Sequence, residues 1–314
     1  MSTNLITVFG ATGSQGGSLI NSILKNKRGM FTLRGITRDV WSSSSTALAA
    51  RGVEMRQANC FRKDEVVEAL KGSWGVFANT NSEDPAVMDV DGPSDTDVGK
   101  IIVDAAVEAG VKHFVYSGLP SSSKITNGSV SSQIFEEKYL VGEYAKSKNF
   151  DSVTIVSAGW YMENLMRDGM ARIVGGFALY PDEEGYLTFQ SPRWGGNEEI
   201  PFVAIADDYG DYVHGVFLDP NKYHRKFIQG FMTGKKSRYV VVEDWTTFHT
   251  SGDQTAQAIK NMFGFCQLSG GLYYGTPNDL TMARELKAAV AEAQGEASSE
   301  LMSLERFIGR SFST

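Results

Sequence analysis

Cysteine is scarce in this 314-residue chain, where Cys60 and Cys266 are the only two. Two thiols cannot build a disulfide framework or a cysteine-rich zinc site, and they suit a reducing compartment. Histidine is nearly as sparse. His113, His214, His224 and His249 show no HxxxH or HxxE spacing that would put two ligands on one helical face, so no metal is expected. Positive charge is not in excess either. The formal net charge is −7, whereas phosphate backbones select basic faces, so no nucleic-acid partner is expected. Nowhere do ~18 apolar residues run uninterrupted, and the first strand starts too near Met1 for a charged and apolar leader. No membrane span or export signal is expected, and cytoplasmic residence is the default.

What the chain does have is the composition of an ordinary globule, 42% hydrophobic and 21% charged. Its length fits one main α/β domain with a smaller appendage. Strand-like runs at 5–9, 31–37, 53–57, 74–78, 111–116 and 152–156 alternate with helical spacing at 18–24, 64–70, 96–109 and 135–147. Repeated βα units imply parallel strands with right-handed crossovers, hence a doubly wound sheet over residues 1–158. In such sheets ligands bind beyond the carboxyl ends of the strands.

Past residue 160 the rhythm breaks. Strands are expected at 227–231 and 238–242, and helices at 208–218, 254–263, 279–293 and 299–308. Residues 159–314 are read as mainly a smaller α+β lobe for substrate or partner, with some segments returning to the first domain. The Ser-rich stretch Ser117 to Ser132 has no usable period, and is either a mobile flap or a plain solvated loop.

Gly10, Gly13, Gly16 and Gly17 occupy the first strand-to-helix turn. In that position Gly10 permits the sharp turn, Gly13 lets a pyrophosphate approach backbone N–H groups, and Gly16 brings helix close to strand. Thr12, Ser14 and Gln15 add side-chain donors. A tight structural turn is the alternative, but the place in a βα series favours a dinucleotide. The second strand ends Thr37-Arg38-Asp39. Arg38 can pair with a 2′-phosphate and so favours NADP; Asp39 is the NAD-type partner if Arg38 turns to solvent. Asn59 and Cys60 after the third strand suit adenine, and Asn79, Thr80 and Asn81 after the fourth suit ribose, although such residues also cap turns. Lys138, on the helix after the fifth strand, can bind the nicotinamide ribose and lower the pKa of a reacting hydroxyl.

Taken as an ordered set, these residues resemble the NmrA-like proteins, atypical members of the short-chain dehydrogenase/reductase superfamily related to isoflavone reductase-like enzymes. The shared pieces are the Gly10–Gly17 turn, Thr37-Arg38, Val115-Tyr116-Ser117, the Lys138 helix, Gly159 to Asn164, and Ile200 to Val203 leading into Asp207 to Gly210. The resemblance implies that Gly10, Thr12, Gly13, Gln15 and Gly16 hold the pyrophosphate, Arg38 the 2′-phosphate, and Thr80 and Asn81 the ribose. It places Lys138, Tyr161 and Asn164 around the nicotinamide. The superfamily's YxxxK pair would need tyrosine at 134, where Ile134 stands. The usual Ser-Tyr-Lys relay is therefore absent.

Two functions follow. One is an NADP-dependent oxidoreductase, with NAD possible, that moves hydride between nicotinamide and a carbonyl, enone or imine, with Lys138 or a water as proton source. Tyr180, Tyr186, Phe189 and Trp194 would line its substrate side and suit a ring-containing metabolite. The other is a silent sensor whose dinucleotide occupancy controls binding to a protein partner.

Overall fold

Ile6, Thr7 and Val8 are all buried, as in a strand covered on both faces, with the Thr7 hydroxyl 2.6 Å from that of Ser73; the strands at 75–78, 113–116 and 152–158 are buried along their whole length. The computed structural model describes residues 3–312 except 178, 182, 184–186, 198, 231–239, 249, 251, 253 and 297. Along the first half run β1 (Asn4–Val8), α1 (Ser14–Leu24), β2 (Phe31–Thr37), α2 (Ser43–Ala50), β3 (Glu54–Gln57), α3 (Lys63–Leu70) and β4 (Gly75–Ala78). Then follow α4 (Pro85–Met88), α5 (Asp95–Glu108), β5 (His113–Tyr116), α6 (Ser122–Ile125), α7 (Gln133–Lys146) and β6 (Ser152–Ala158). The remainder contributes β7 (Trp160–Tyr161), α8 (Asp168–Ile173), β8 (Gln190–Pro192), β9 (Phe202–Val203), α9 (Gly210–Leu218), β10 (Phe227–Gly230) and β11 (Val240–Val242). It ends with the helices α10 (Gln254–Leu268), α11 (Thr281–Gln294) and α12 (Leu304–Phe312).

Seven strands pair in the order β10-β6-β5-β4-β1-β2-β3, every pair parallel. This is the doubly wound sheet expected from the βα rhythm. Alternate side chains feed two cores, as the period of two requires. Phe77, Val115 and Val156 point to one face with Leu19, Ile20, Val213, Phe217 and Leu286. Val76, Phe114 and Tyr116 point to the other with Val66, Ile102 and Val141. On the first face α1 and α9 approach closely because Gly210 has no side chain; a Cβ there would stand 2.3 Å from the Ser18 backbone. Ser18 Oγ donates to the Ile205 carbonyl at 2.5 Å and accepts the Gly210 N–H at 2.9 Å, pinning the crossing.

A third, aromatic core stands over the end of the sheet. Trp160 stacks on Phe202 at 5.6 Å, Trp194 on Tyr273 at 5.7 Å, and Phe263 meets both tryptophans edge-on. The chain does not stay in that region. β10 returns to pair with β6, and α9 and α11 cover the first face of the main sheet. The strand expected at 227–231 is thus the seventh strand of the principal sheet. Phe231 and the start of the strand expected at 238–242 lie outside the described residues. Among the described residues no helix is long and apolar enough to cross a membrane.

Candidate functional site

The glycine turn after β1 is built as a concave backbone surface. Gly10 adopts φ +61°, and a Cβ there would lie 2.7 Å from Asn79 Oδ1. At Gly16 a Cβ would lie 2.3 Å from the Gly10 carbonyl oxygen, so α1 abuts β1 at contact distance. Gly13 is the N-cap of α1. It has no side chain to cap the helix, and the first turn carries no acidic residue. The N–H groups of that turn and the positive end of the helix dipole are left for an anion.

This turn floors a cleft of about 770 Å³ beyond the carboxyl ends of the strands. Gly10, Thr12, Gly13, Ser14, Gln15, Arg38, Asn59, Cys60, Thr80, Asn81, Lys138, Tyr161 and Asn164 all line it. Of the residues expected from sequence to contact the dinucleotide, only Gly16 is not among those lining it. Strand order spreads the rest. Arg38, Asn59 and Cys60 follow β2 and β3 on one side of the turn, while Lys138 and Tyr161 follow β5 and β6 on the other.

On the β2 side Arg38 is not idle. Its Nη1 donates to Asp84 Oδ2 at 2.8 Å, linking the end of β2 to the segment after β4. Asp39 is committed to a local turn, where its Oδ1 accepts the Trp41 N–H at 2.8 Å. Asn59 and Asn81 likewise use their side-chain oxygens on turns, accepting N–H groups from Phe61 at 3.0 Å and Glu83 at 3.2 Å. Their amide nitrogens are left for a ligand. Burial pushes the Cys60 thiol up to about 11, which keeps it protonated and unreactive.

On the other side Lys138 donates to three acceptors: Thr80 O at 3.0 Å, Thr80 Oγ1 at 2.9 Å and Asp95 Oδ2 at 3.1 Å. An ammonium has three protons, so this one is fully engaged. Asp95 Oδ2 also accepts from Ser82 Oγ at 2.6 Å, and Thr80 Oγ1 is 3.1 Å from the Tyr116 hydroxyl. Asp95, Ser82 and Asp84 were not legible as site residues; their only signal was proximity to β4 and to the start of α5. Ile134 lines the cleft one helical turn before Lys138, where the relay tyrosine would be. Gln15 Nε2 donates to the Tyr161 hydroxyl at 2.5 Å, and burial pushes that phenol up to about 12. A second, mainly apolar hollow of about 250 Å³ shares Lys138 with the cleft; Leu119, Ile125, Ile155 and Phe227 are among its walls.

Two expectations are corrected. Trp194 is 1% exposed within the aromatic core, Phe189 packs on Trp160 and Phe177, and Tyr180 lies outside over Arg172, its hydroxyl bonded to Asp168. None of the three lines the cleft. Aromatic packing claimed Trp194 and Phe189 because a lobe this short needs large side chains to make a core, and Tyr180 is taken by a surface cation and carboxylate. Tyr186 lies outside the described residues. The stretch Ser117 to Ser132 is not a free flap or a plain solvated loop. Glu136 on α7 accepts hydrogen bonds from Ser121 Oγ at 2.6 Å, Ser122 Oγ at 2.7 Å, and Ser123 through N at 2.8 Å and Oγ at 3.0 Å. Burial opposes the charge on Glu136, yet these donors hold its carboxyl below the usual range.

A seven-stranded parallel sheet, an uncapped helix after the first glycine turn and a cleft at the strands' carboxyl ends define a doubly wound nucleotide-binding fold. The chain belongs to the NmrA-like family, whose model matches residues 2–232. It is 42% identical over 301 residues to the NmrA-like family domain-containing oxidoreductase lnaB of Aspergillus flavus, covering 90% of each chain. It is also 42% identical over 334 residues to the similarly named oxidoreductase cpsB of Aspergillus campestris, covering 99% of this chain and 98% of the relative. Among solved structures, NmrA, a negative transcriptional regulator in complex with NADP, superposes with a TM-score of 0.68 at 20% identity, covering 94% of this chain and 95% of that one. The NADPH-dependent quinone oxidoreductase QOR2 of Escherichia coli gives 0.67 at 19%, covering 98% and 99%.

Proposed function

We propose that the chain is an NAD(P)-dependent oxidoreductase that prefers NADP, accepts NAD second, and acts on a carbonyl, enone or imine of a small molecule. The observation that carries this is a single cleft with an uncapped helix start on its floor and a half-buried, hydrogen-bonded lysine on its wall. Relatives that share 42% of its residues are named oxidoreductases, which supports the same reading. Residence in the cytoplasm belongs to it too, on the sparse cysteines.

The donors present fit a dinucleotide. Gly10, Thr12, Gly13, Ser14 and Gln15 would hold the pyrophosphate with Gly16 packing the helix in place, Arg38 the 2′-phosphate, Asn59 and Cys60 the adenine, and Thr80 and Asn81 the ribose. Lys138, Tyr161 and Asn164 would face the nicotinamide, which when bound supplies or takes up the hydride. Lys138 would stand beside the reacting centre, and it contacts a ligand only by releasing one of its three acceptors. Either this lysine or a water delivers the proton. With the aromatic lining gone, the ring-shaped substrate loses its main support; the apolar hollow beside Lys138 supports a small apolar group instead.

A second reading is a dinucleotide sensor that binds a protein partner. It is favoured by Ile134 in place of the relay tyrosine and by the full set of acceptors around Lys138. To separate the two, NADPH oxidation is followed by absorbance with a panel of quinones, enones and cyclic imines, for the native chain and Lys138→Ala. Turnover lost in the variant with coenzyme affinity retained supports the enzyme. Tight NADPH binding without turnover on the whole panel supports the sensor.

A further inference from the structure

We propose that Asp84 is a coenzyme-selecting residue: by holding the Arg38 guanidinium, it sets how strongly the cleft discriminates NADP from NAD. The inference rests on dinucleotide binding in this cleft and is independent of whether turnover follows.

The two partners are held differently. The Arg38 side chain is 70% exposed and Asp84 only 13%. Asp84 is also fixed to the backbone, because its other oxygen, Oδ1, accepts the Ala86 N–H at 3.0 Å and caps α4. Arg38 is therefore the member that can turn, and Asp84 the fixed post it is tied to. Both charges act on the half-buried Cys60 thiol, Arg38 lowering its pKa and Asp84 raising it. The pair consequently stands at the adenine side of the cleft, beside the segment after β3. Asp39, which also lines the cleft, has one carboxylate oxygen on the Trp41 N–H.

A 2′-phosphate reaching Arg38 meets two costs that a 2′-hydroxyl does not. It competes with Asp84 for the same guanidinium, and it brings about two negative charges near a fixed carboxylate. NAD leaves the Arg38–Asp84 pair intact. Asp84 thus penalises NADP selectively and narrows the preference that Arg38 confers. The effect is bounded because the arginine is exposed, where ion pairs are weak and screened by salt.

Calorimetric titration of NADP+ and NAD+ into the native chain and Asp84→Asn tests this at low ionic strength. Asparagine keeps the α4 cap while removing the charge, and a thermal melt of each variant confirms the fold. The expected result is NADP+ binding tighter by about three- to tenfold, with NAD+ changed less than about twofold. The gain for NADP+ should shrink in Arg38→Leu/Asp84→Asn relative to Arg38→Leu alone, because only the direct repulsion by Asp84 is then left to relieve. Equal changes for both coenzymes, weaker NADP+ binding, or a gain undiminished by loss of Arg38 would each overturn the inference. Failure of the native chain to bind either coenzyme would instead overturn the dinucleotide reading beneath it.

Discussion

Lys138 Nζ stands 3.1 Å from Asp95 Oδ2, and the two partners differ in how far they are withdrawn from water, the lysine side chain being 14% exposed and the aspartate 3%. Asp95 depends on the lysine more than the reverse, since its Oδ1 is buried with no hydrogen-bond partner. Lys138→Ala should therefore destabilise the fold by about 3 kcal/mol, because it strands a buried carboxylate. Urea unfolding measures the loss, and Lys138→Met with Asp95→Leu should restore much of it. If Lys138→Ala unfolds at the native urea concentration, the pair is not structural.

The glycine turn separates packing from binding. Gly16→Ala forces a Cβ to 2.3 Å from the Gly10 oxygen and should cost more than about 3 kcal/mol, with dinucleotide affinity lost alongside. Gly13→Ala meets only the Gly10 oxygen at 3.3 Å and keeps an ordinary φ of −90°. Its stability should stay within about 1 kcal/mol of native, while affinity falls because the methyl enters the cleft where phosphate must approach. Thermal melts and calorimetry on both variants check the contrast.

His214 should give the fold an acid-sensitive step. Burial lowers its pKa from 6.5 to about 4, so the native state binds fewer protons than the unfolded chain between those values. Stability contributed by the neutral ring is whole above pH 6.5 and drains away as pH falls to about 4, by about 3 kcal/mol in all. The ring sits between Ser22 Oγ and Asn26 Nδ2, each at 2.8 Å. His214→Gln should flatten that part of the stability profile measured by urea titration at several pH values; an unchanged slope would place the step elsewhere.

Glu136 ties down the segment after β5 with four hydrogen bonds. Glu136→Ala should leave the sheet core folded but expose 119–132 to limited proteolysis, with cleavage mapped by mass spectrometry. Protection equal to native would show that packing, not the carboxylate, holds this stretch.

Much of this was legible beforehand because it is local. The glycine turn, the strands around it and the Lys138 helix declare themselves through spacing alone, and all but one of the residues expected to contact the dinucleotide line one cleft. What escaped depends on long-range partners. The Ser-rich stretch is irregular in sequence yet fixed in space, because its hydroxyls meet a glutamate 13 to 15 residues later. Tyr180, Phe189 and Trp194 read as a pocket because an aromatic side chain looks the same whether it faces a ligand or a neighbour. Asp95 and Asp84 resemble any acidic helix start until Lys138 and Arg38 are brought to them. Arg34 is similar: buried on β2 beside β3, it donates to the Ala69 and Lys71 carbonyls at the end of α3, a role no charge pattern announces.

The edge strand β10 pairs with β6 across more than sixty intervening residues, from Ala158 to Phe227. During synthesis, then, β6 must wait with one side unpaired while that whole stretch leaves the ribosome. The helix α11 that seals one face of the sheet arrives later still. Shortened chains that stop before residue 227 would emerge with a naked β6 border, open to pairing with another chain.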